Sequence, residues 1–387
     1  MSIETTRGCR GCGAGSLIRV LDLGKMPAAD HFPKLDEVGG EAEATHPLAM
    51  DLCPACGLAQ LAEDDTVTAE PRGVEPRALR DQAADALTRV EAAGWLRGGT
   101  AREFGSPHGG SWLPLLAERG RTETETRDYT ETETRDCTET EATADVVIDC
   151  FGIMHEPDQR AAFARRAAAT APSGVLLLQF HSLHAIVTQG QWNALRHGHF
   201  AYYTLAVVQR LLADAGMTVA TAWEFDLYGG TVLVAAVHTP TETDSSPIEP
   251  DAAVAAILAA ESEMTDPEVV RGLQRAADRQ ARALRSWLES ETHSARRVYA
   301  YGAASRTVAL LYLAGVHRGL LTAVADASPA KQGRRMPGTN IPIIAPAELI
   351  AALPDRVFLT LPDLLSEVRS LWPELDGRWV VDIPEPP

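Results

Sequence analysis

Four groups of residues have types and spacings that could do chemistry. The first is a pair of C-x-x-C motifs, Cys9/Cys12 and Cys53/Cys56. Two such pairs suit tetrahedral zinc, and four protein thiolates leave no open position for a substrate, so the expected metal is structural. The second is Arg196-His197-Gly198-His199-Phe200-Ala201-Tyr202-Tyr203, with His181 upstream. An imidazole titrates near neutrality and can take a proton there. The third is Tyr301-Gly302-Ala303-Ala304-Ser305-Arg306 with the run Asp326 to Gly333. Amides at a helix N-terminus favour a phosphate. Asp326 is spaced to meet a ribose hydroxyl, and Arg306 and Lys331 could neutralise a diphosphate. The fourth is Glu103-Phe104-Gly105-Ser106-Pro107-His108-Gly109-Gly110, an acid followed by glycines that would let backbone approach a nucleotide-like ligand.

These groups need elements to hold them. Ala/Leu/Arg-rich residues 72–98 read as a helix stopped by Gly98-Gly99. From 100 to 240 strands and helices alternate: AREFG, then SWLPLLAERG, DVVID, DQRAAFARRAAATA, VLLLQF, AVVQRLLADAG, TVATAW and TVLVAAV. Such alternation predicts a parallel, doubly wound sheet. A polar connector at 238–251 leads into a long helical stretch over 252–290, and a second α/β unit begins with RVYAY at 297–301. The segment LDLGKMPAADHF, at 21–32, is expected to pack over the metal site. The repeat TETETRDY/TETETRDC/TETE, at 122–141, is low-complexity and reads as a disordered or extended insertion. The expected division is a zinc module over 1–65, a central domain over 72–240, a connector and helical segment over 241–295, and a C-terminal domain over 296–387.

Composition narrows the class. A chain of 387 residues has room for two or three domains. Its formal charge of −18 excludes a general polyanion binder and makes adhesion to anionic membranes unexpected. No apolar run reaches the roughly 20 residues of a spanning helix. MSIETTRGCRGC has no secretory character, so the expected location is cytoplasmic. Cys137 and Cys150 lack partners at metal-binding spacing.

At these motifs the chain resembles the nucleotide-sugar 3-C-methyltransferases that build branched, mycarose-type deoxysugars of antibiotics. Three pieces carry the resemblance: the cysteines with LDLGKMP (21–27) and CPACGLAQL (53–61); YGAASR (301–306) with DASPAKQGRRMPGTNIPI (326–343); and, between them, DVVIDCFGIMHEPD, HGHFAYYTLAVVQRLLADAGM and LYGG (227–230). The resemblance implies an α/β fold with an N-terminal zinc module, a central Rossmann-like class I methyltransferase domain and a C-terminal Rossmann-like domain. It implies S-adenosylmethionine at Glu103, Gly105, Ser106, His108 and Gly109. The implied substrate is a TDP-linked 4-keto deoxyhexose, contacted by Arg196, Tyr228, Gly229, Tyr301, Arg306 and Lys331. It also implies His199 as the base that removes the C3 proton and His181 as a second active-site histidine, with Tyr202 and Tyr203 alongside.

The chain departs from that family at Arg196-His197-Gly198, where many members carry a Tyr and a Glu. It departs again at 68–81, which lacks tyrosine, and at Ser106-Pro107-His108 in the cofactor loop. The acidic repeat stands where a strand ending in a ribose-binding acid is usual. Two other readings follow from the same residues. One is an NADPH-dependent ketoreductase of the same sugar, alone or combined with methylation, with Tyr202, Tyr203 or His199 delivering the proton. The other is a non-catalytic zinc scaffold. No sequence feature bears on oligomeric state.

Overall fold

The structure, a computed structural model, describes residues 8–37, 44–66, 75–105, 110–123, 142–240, 251–381 and 383. Three sheets organise it. The N-terminal residues form strands β1 (Ile18–Pro27), β2 (Thr45–Leu52) and β3 (Ala59–Leu61). In the central part, α1 (Arg77–Ala92) precedes β4 (Thr100–Phe104), α2 (Leu113–Glu118), β5 (Thr122–Glu123) and β6 (Ala144–Cys150). Then come α3 (Gln159–Ala169), β7 (Thr170–His181), α4 (Leu183–Thr188), β8 (Ala201–Tyr202), α5 (Leu205–Asp214), β9 (Met217–Phe225) and β10 (Thr231–His238).

The central sheet runs β5-β4-β6-β7-β10-β9. β5, β4, β6 and β7 are parallel, as the alternation predicts. β10, however, is antiparallel to both neighbours, so the sheet is mixed rather than wholly parallel. The reason is local: β9 and β10 are joined only by the Leu227–Gly230 turn, and so short a link reverses the chain instead of crossing over. The strand expected to be displaced by the acidic repeat exists as two residues of β5; residues 124–141, with Cys137, lie outside the described residues.

The helical stretch after the connector is three helices, α6 (Ala252–Ala260), α7 (Pro267–Val270) and α8 (Gly272–His293). Asp251 caps α6 by accepting from the amides of Ala253 and Val254. Asp266 and Pro267 restart the helix at α7, a capping residue followed by proline at the first helical position. The C-terminal unit follows as β11 (Val298–Tyr301), α9 (Ser305–Leu313), β12 (Val324–Ala325), β13 (Ile343–Ile344), α10 (Pro346–Ala351), β14 (Arg356–Leu359), α11 (Leu365–Leu371) and β15 (Trp379–Val380). Its sheet, β13-β12-β11-β14-β15, is parallel throughout.

Two cores explain how the parts adhere. Leu58, Cys9 and Cys53 share a buried cluster with Val207 and Leu211 of α5, so the cysteine knuckles sit on the central domain. Leu21, Leu23, Met26 and Phe32 instead share a cluster with Leu284 and Leu288 of α8 and with Val308 and Leu311 of α9. The segment expected to cover the metal is therefore largely a strand, and it faces the C-terminal half; alternation along β1 buries that face. Among the described residues no helix is long and apolar enough to cross a membrane.

Candidate active site

The four cysteines converge although 41 residues separate the pairs. Cys9 Sγ lies 3.5 Å from Cys56 Sγ, Cys12 Sγ lies 3.6 Å from Cys53 Sγ, and all four sulfurs fall within 4.8 Å of one another. Zinc–sulfur bonds of about 2.3 Å place tetrahedral ligands roughly 3.8 Å apart, so this set fits zinc. The Cys56 thiol and the amides of Cys12 and Gly11 hydrogen-bond the Cys9 sulfur and hold it at about 4, while Cys56 is pushed up in turn. That thiolate is the form a metal needs.

The central sheet delivers its chemistry at the strand ends. Glu103, near the end of β4, accepts from Ser111 Oγ and from Trp112 N at 2.8 Å, which pins the glycine-rich loop's return to its strand; burial raises its carboxyl. Gly105 follows, whereas Ser106, His108 and Gly109 lie outside the described residues. The neighbouring end of β6 comes very near: a Cβ on Gly152 would stand 2.9 Å from the Gly105 carbonyl oxygen. Only glycine permits that approach. Glu103, Gly105 and Gly152 thus fit a bound nucleoside held along backbone.

Asp149 organises the next turn. It is fully buried, pairs with Arg166 at 2.8 Å and accepts from the amides of Gly152 and Ile153 at 2.7 and 3.0 Å. Burial raises its carboxyl, and Arg166 opposes that rise. The turn ends at His155, whose ring meets the His199 ring edge-on with centroids 4.3 Å apart. Burial pushes His155 down to about 4, so it is neutral at physiological pH. Sequence reading assigned no role to His155, Gly152 or Asp149, although all three lie in the DVVIDCFGIMHEPD piece at and after the end of β6.

Arg196 Nε donates to His199 Nε2 at 2.8 Å. His181, at the end of β7, meets the Tyr228 carbonyl through Nε2 at 2.8 Å; a carbonyl only accepts, so that nitrogen carries the proton. Burial and then the charge of Arg306 press His181 down to about 3. The Arg306 guanidinium lies over the Tyr228 ring at 5.5 Å, and among the described residues no acceptor bonds it. Desolvation and then repulsion from Arg196 bring it down to about 10. Tyr228 and Phe151 both hold positive φ, at 55° and 64°, and their rings touch edge-on, so backbone strain gathers here. Gly229 beside them also has positive φ, at 81°.

Several expected residues have other employment. Tyr202 and Tyr203 are fully buried, and burial raises both phenols, so each keeps its proton. The Tyr202 hydroxyl donates to Ala194 O and accepts from Arg196 N, both at 3.2 Å, so it shapes the Arg196 loop. The Tyr203 hydroxyl donates to Gln159 Oε1. Lys331 is buried, donates to Ala303 O at 2.9 Å and stands 4.6 Å over the Phe32 ring. Tyr301 packs against Trp379, and its oxygen accepts from Trp372. Asp326 accepts from the amides of Ala303 and Ser328 at 2.7 and 2.8 Å, closing a turn instead of facing outward.

The comparisons with known proteins fall on this geometry in three consecutive pieces. Residues 9–70 match a zinc binding domain, 75–222 a methyltransferase domain, and 226–384 the C-methyltransferase C-terminal domain. A curated relative, the C-methyltransferase NovU of Streptomyces niveus, is 26% identical over 98% of this chain and 96% of its own. The three matched domains and this relative make the chain similar to C-methyltransferases along almost its whole length. Solved structures overlay loosely. The magnesium protoporphyrin IX methyltransferase of Synechocystis with bound S-adenosylhomocysteine is 17% identical, with a TM-score of 0.31 over 43% of this chain and 90% of its own. The Burkholderia thailandensis 1,6-didemethyltoxoflavin-N1-methyltransferase is 13% identical, with a TM-score of 0.30 over 47% and 96%. The matched domains make the chain an S-adenosylmethionine-dependent methyltransferase with a zinc-binding module, and they lend the nicotinamide and scaffold readings no support.

Proposed function

We propose that this methyltransferase methylates C3 of a TDP-linked 4-keto deoxyhexose, with His199 as the base. The domain division given above, with the nucleotide held towards the C-terminal unit, is part of the same proposal. The observation that carries it is the meeting of His199, His155 and His181 with two mutually repelling guanidiniums, Arg196 and Arg306. A desolvated guanidinium such as Arg306 gains from an anion, and a nucleoside diphosphate supplies one. A ketone at C4 acidifies the C3 proton, and a neutral imidazole is a base matched to that task. Glu103, Gly105 and Gly152 would hold S-adenosylmethionine, which supplies an electrophilic methyl group. His181 keeps its Nε2 proton on Tyr228 and so orders the turn that carries Gly229. Tyr202 and Tyr203 serve as positioning residues, and Lys331 and Tyr301 brace the C-terminal unit. The reaction suits a place in antibiotic deoxysugar assembly.

The test is incubation of the purified chain with TDP-4-keto deoxyhexose and S-adenosylmethionine, with mass spectrometry of the sugar. The expected product gains one methyl group at C3, and His199→Ala forms it at least a hundredfold more slowly while keeping its zinc and its fold. An unchanged sugar, or a methyl group on oxygen, overturns the reading.

A further inference from the structure

Arg196 stands in an unusual relation to the proposed base. Its Nε–H points at His199 Nε2 from 2.8 Å, so the imidazole nitrogen must be the lone-pair acceptor in the resting enzyme. The ring is thereby held neutral in one tautomer, with its proton on Nδ1. The loop is built to keep this geometry. The Tyr202 hydroxyl grips the Arg196 amide and the Ala194 carbonyl, and Gly198 between the pair takes φ of 77° while its amide donates to Asp64 Oδ2 at 2.6 Å. Arg196 is partly exposed, whereas His199 is 4% exposed.

A guanidinium bonded to a base it does not share a charge with cannot stay there once the base is protonated, because two cations would then face each other. We infer that Arg196 is the electrophile of the enolisation: its Nε–H leaves His199 as that ring takes a proton and moves onto the oxygen where negative charge appears. The inference rests on the proposed function. The C3–H bond breaks and its proton goes to His199 Nε2. The bonding pair forms C3=C4, and the carbonyl π pair goes to the C4 oxygen, which the guanidinium receives. Charge balances throughout: one imidazolium and one enolate arise from two neutral groups, and Arg196 stays cationic between them. The oxygen therefore finds a preorganised donor where its charge develops.

The experiment uses the full chain with TDP-4-keto deoxyhexose in D2O and no methyl donor, reading deuterium at C3 at saturating sugar. Alongside it, TDP affinity is measured, and 15N NMR of His199 reports the ring tautomer without substrate. Arg196→Gln should slow exchange about a hundredfold or more, the usual cost of one such donor, and Arg196→Lys should restore part of it. TDP affinity should move less than about threefold, and His199 should pass from the Nδ1–H tautomer to a mixture. Exchange at the wild-type rate in Arg196→Gln overturns the inference. So does a large loss of TDP affinity with exchange at saturation kept, which would make Arg196 an anchor, and so does an unmoved His199 tautomer. Wild-type enzyme that exchanges nothing at C3 instead overturns the proposed function, and the inference with it.

Discussion

Arg306 carries its charge into a site where water is scarce and no side chain of the described residues bonds it. A guanidinium in that state gains most from an anion that can take two of its donors. Arg306→Ala should therefore weaken TDP binding by about ten- to a hundredfold, the worth of a charge-assisted hydrogen bond, and leave turnover at saturating sugar much closer to wild type. Calorimetric titration with TDP checks this, and unchanged affinity would move the diphosphate elsewhere. Arg306 was legible from its place after a glycine-containing turn. Lys331 was equally legible and does a different job, because the chain order does not say that Ala303 O and the Phe32 face lie within its reach. His155 lay within the DVVIDCFGIMHEPD piece, but one histidine after a buried strand has no spacing pattern that assigns it a role.

Between elements, Glu261 joins three helices. It ends α6, accepts from Leu205 N at the start of α5 at 2.6 Å, and takes the Ser182 hydroxyl, which caps α4, at 3.4 Å. His181 and Tyr203 lie one and two residues from those contacts, so the clamp fixes the frame of the site. Burial pushes the Glu261 carboxyl up to about 7, against an ordinary 4.5. The native state therefore holds its proton more tightly than the unfolded chain, and stability falls as pH rises from about 4.5 through 7. The shift is worth about 3 kcal/mol at roughly 1.4 kcal/mol per unit. In Glu261→Gln that decline should vanish, so the variant gains about 3 kcal/mol on wild type between pH 4.5 and pH 8 in urea unfolding. Parallel stability curves would show that the carboxyl is not the source. The helices themselves were readable from periodicity and caps, but the break at Asp266-Pro267 shortened the long stretch, and the reversal of β10 came from a turn too short for a crossover.

At the scale of the whole molecule, β8 is the decisive piece. Ala201 and Tyr202 pair with Gln60 and Ala59 of β3, so the segment bearing Arg196 and His199 is an edge of the zinc module's own sheet. Loops 32–37 and 334–335 clasp that module to the C-terminal unit, with Arg334 reaching Phe32 O at 2.7 Å and Arg335 N reaching Pro33 O at 2.9 Å. Structural zinc supplies folding energy, on the order of 10 kcal/mol in small modules. Cys53→Ser should thus lose zinc, melt lower and lose methylation together. Metal analysis, a melting curve and turnover test this, and zinc loss with unchanged melting would end the structural role. Cysteine spacing, glycine-rich turns, strand and helix periods and the acidic charge balance are properties of neighbouring residues, so the chain alone determined the zinc set, the α/β class and the methyltransferase resemblance. Arg196 and His199 are only three residues apart, but that His155, His181 and Arg306 join them was decided by tertiary structure, because those groups lie far apart in the chain and depend on how three sheets pack around one another.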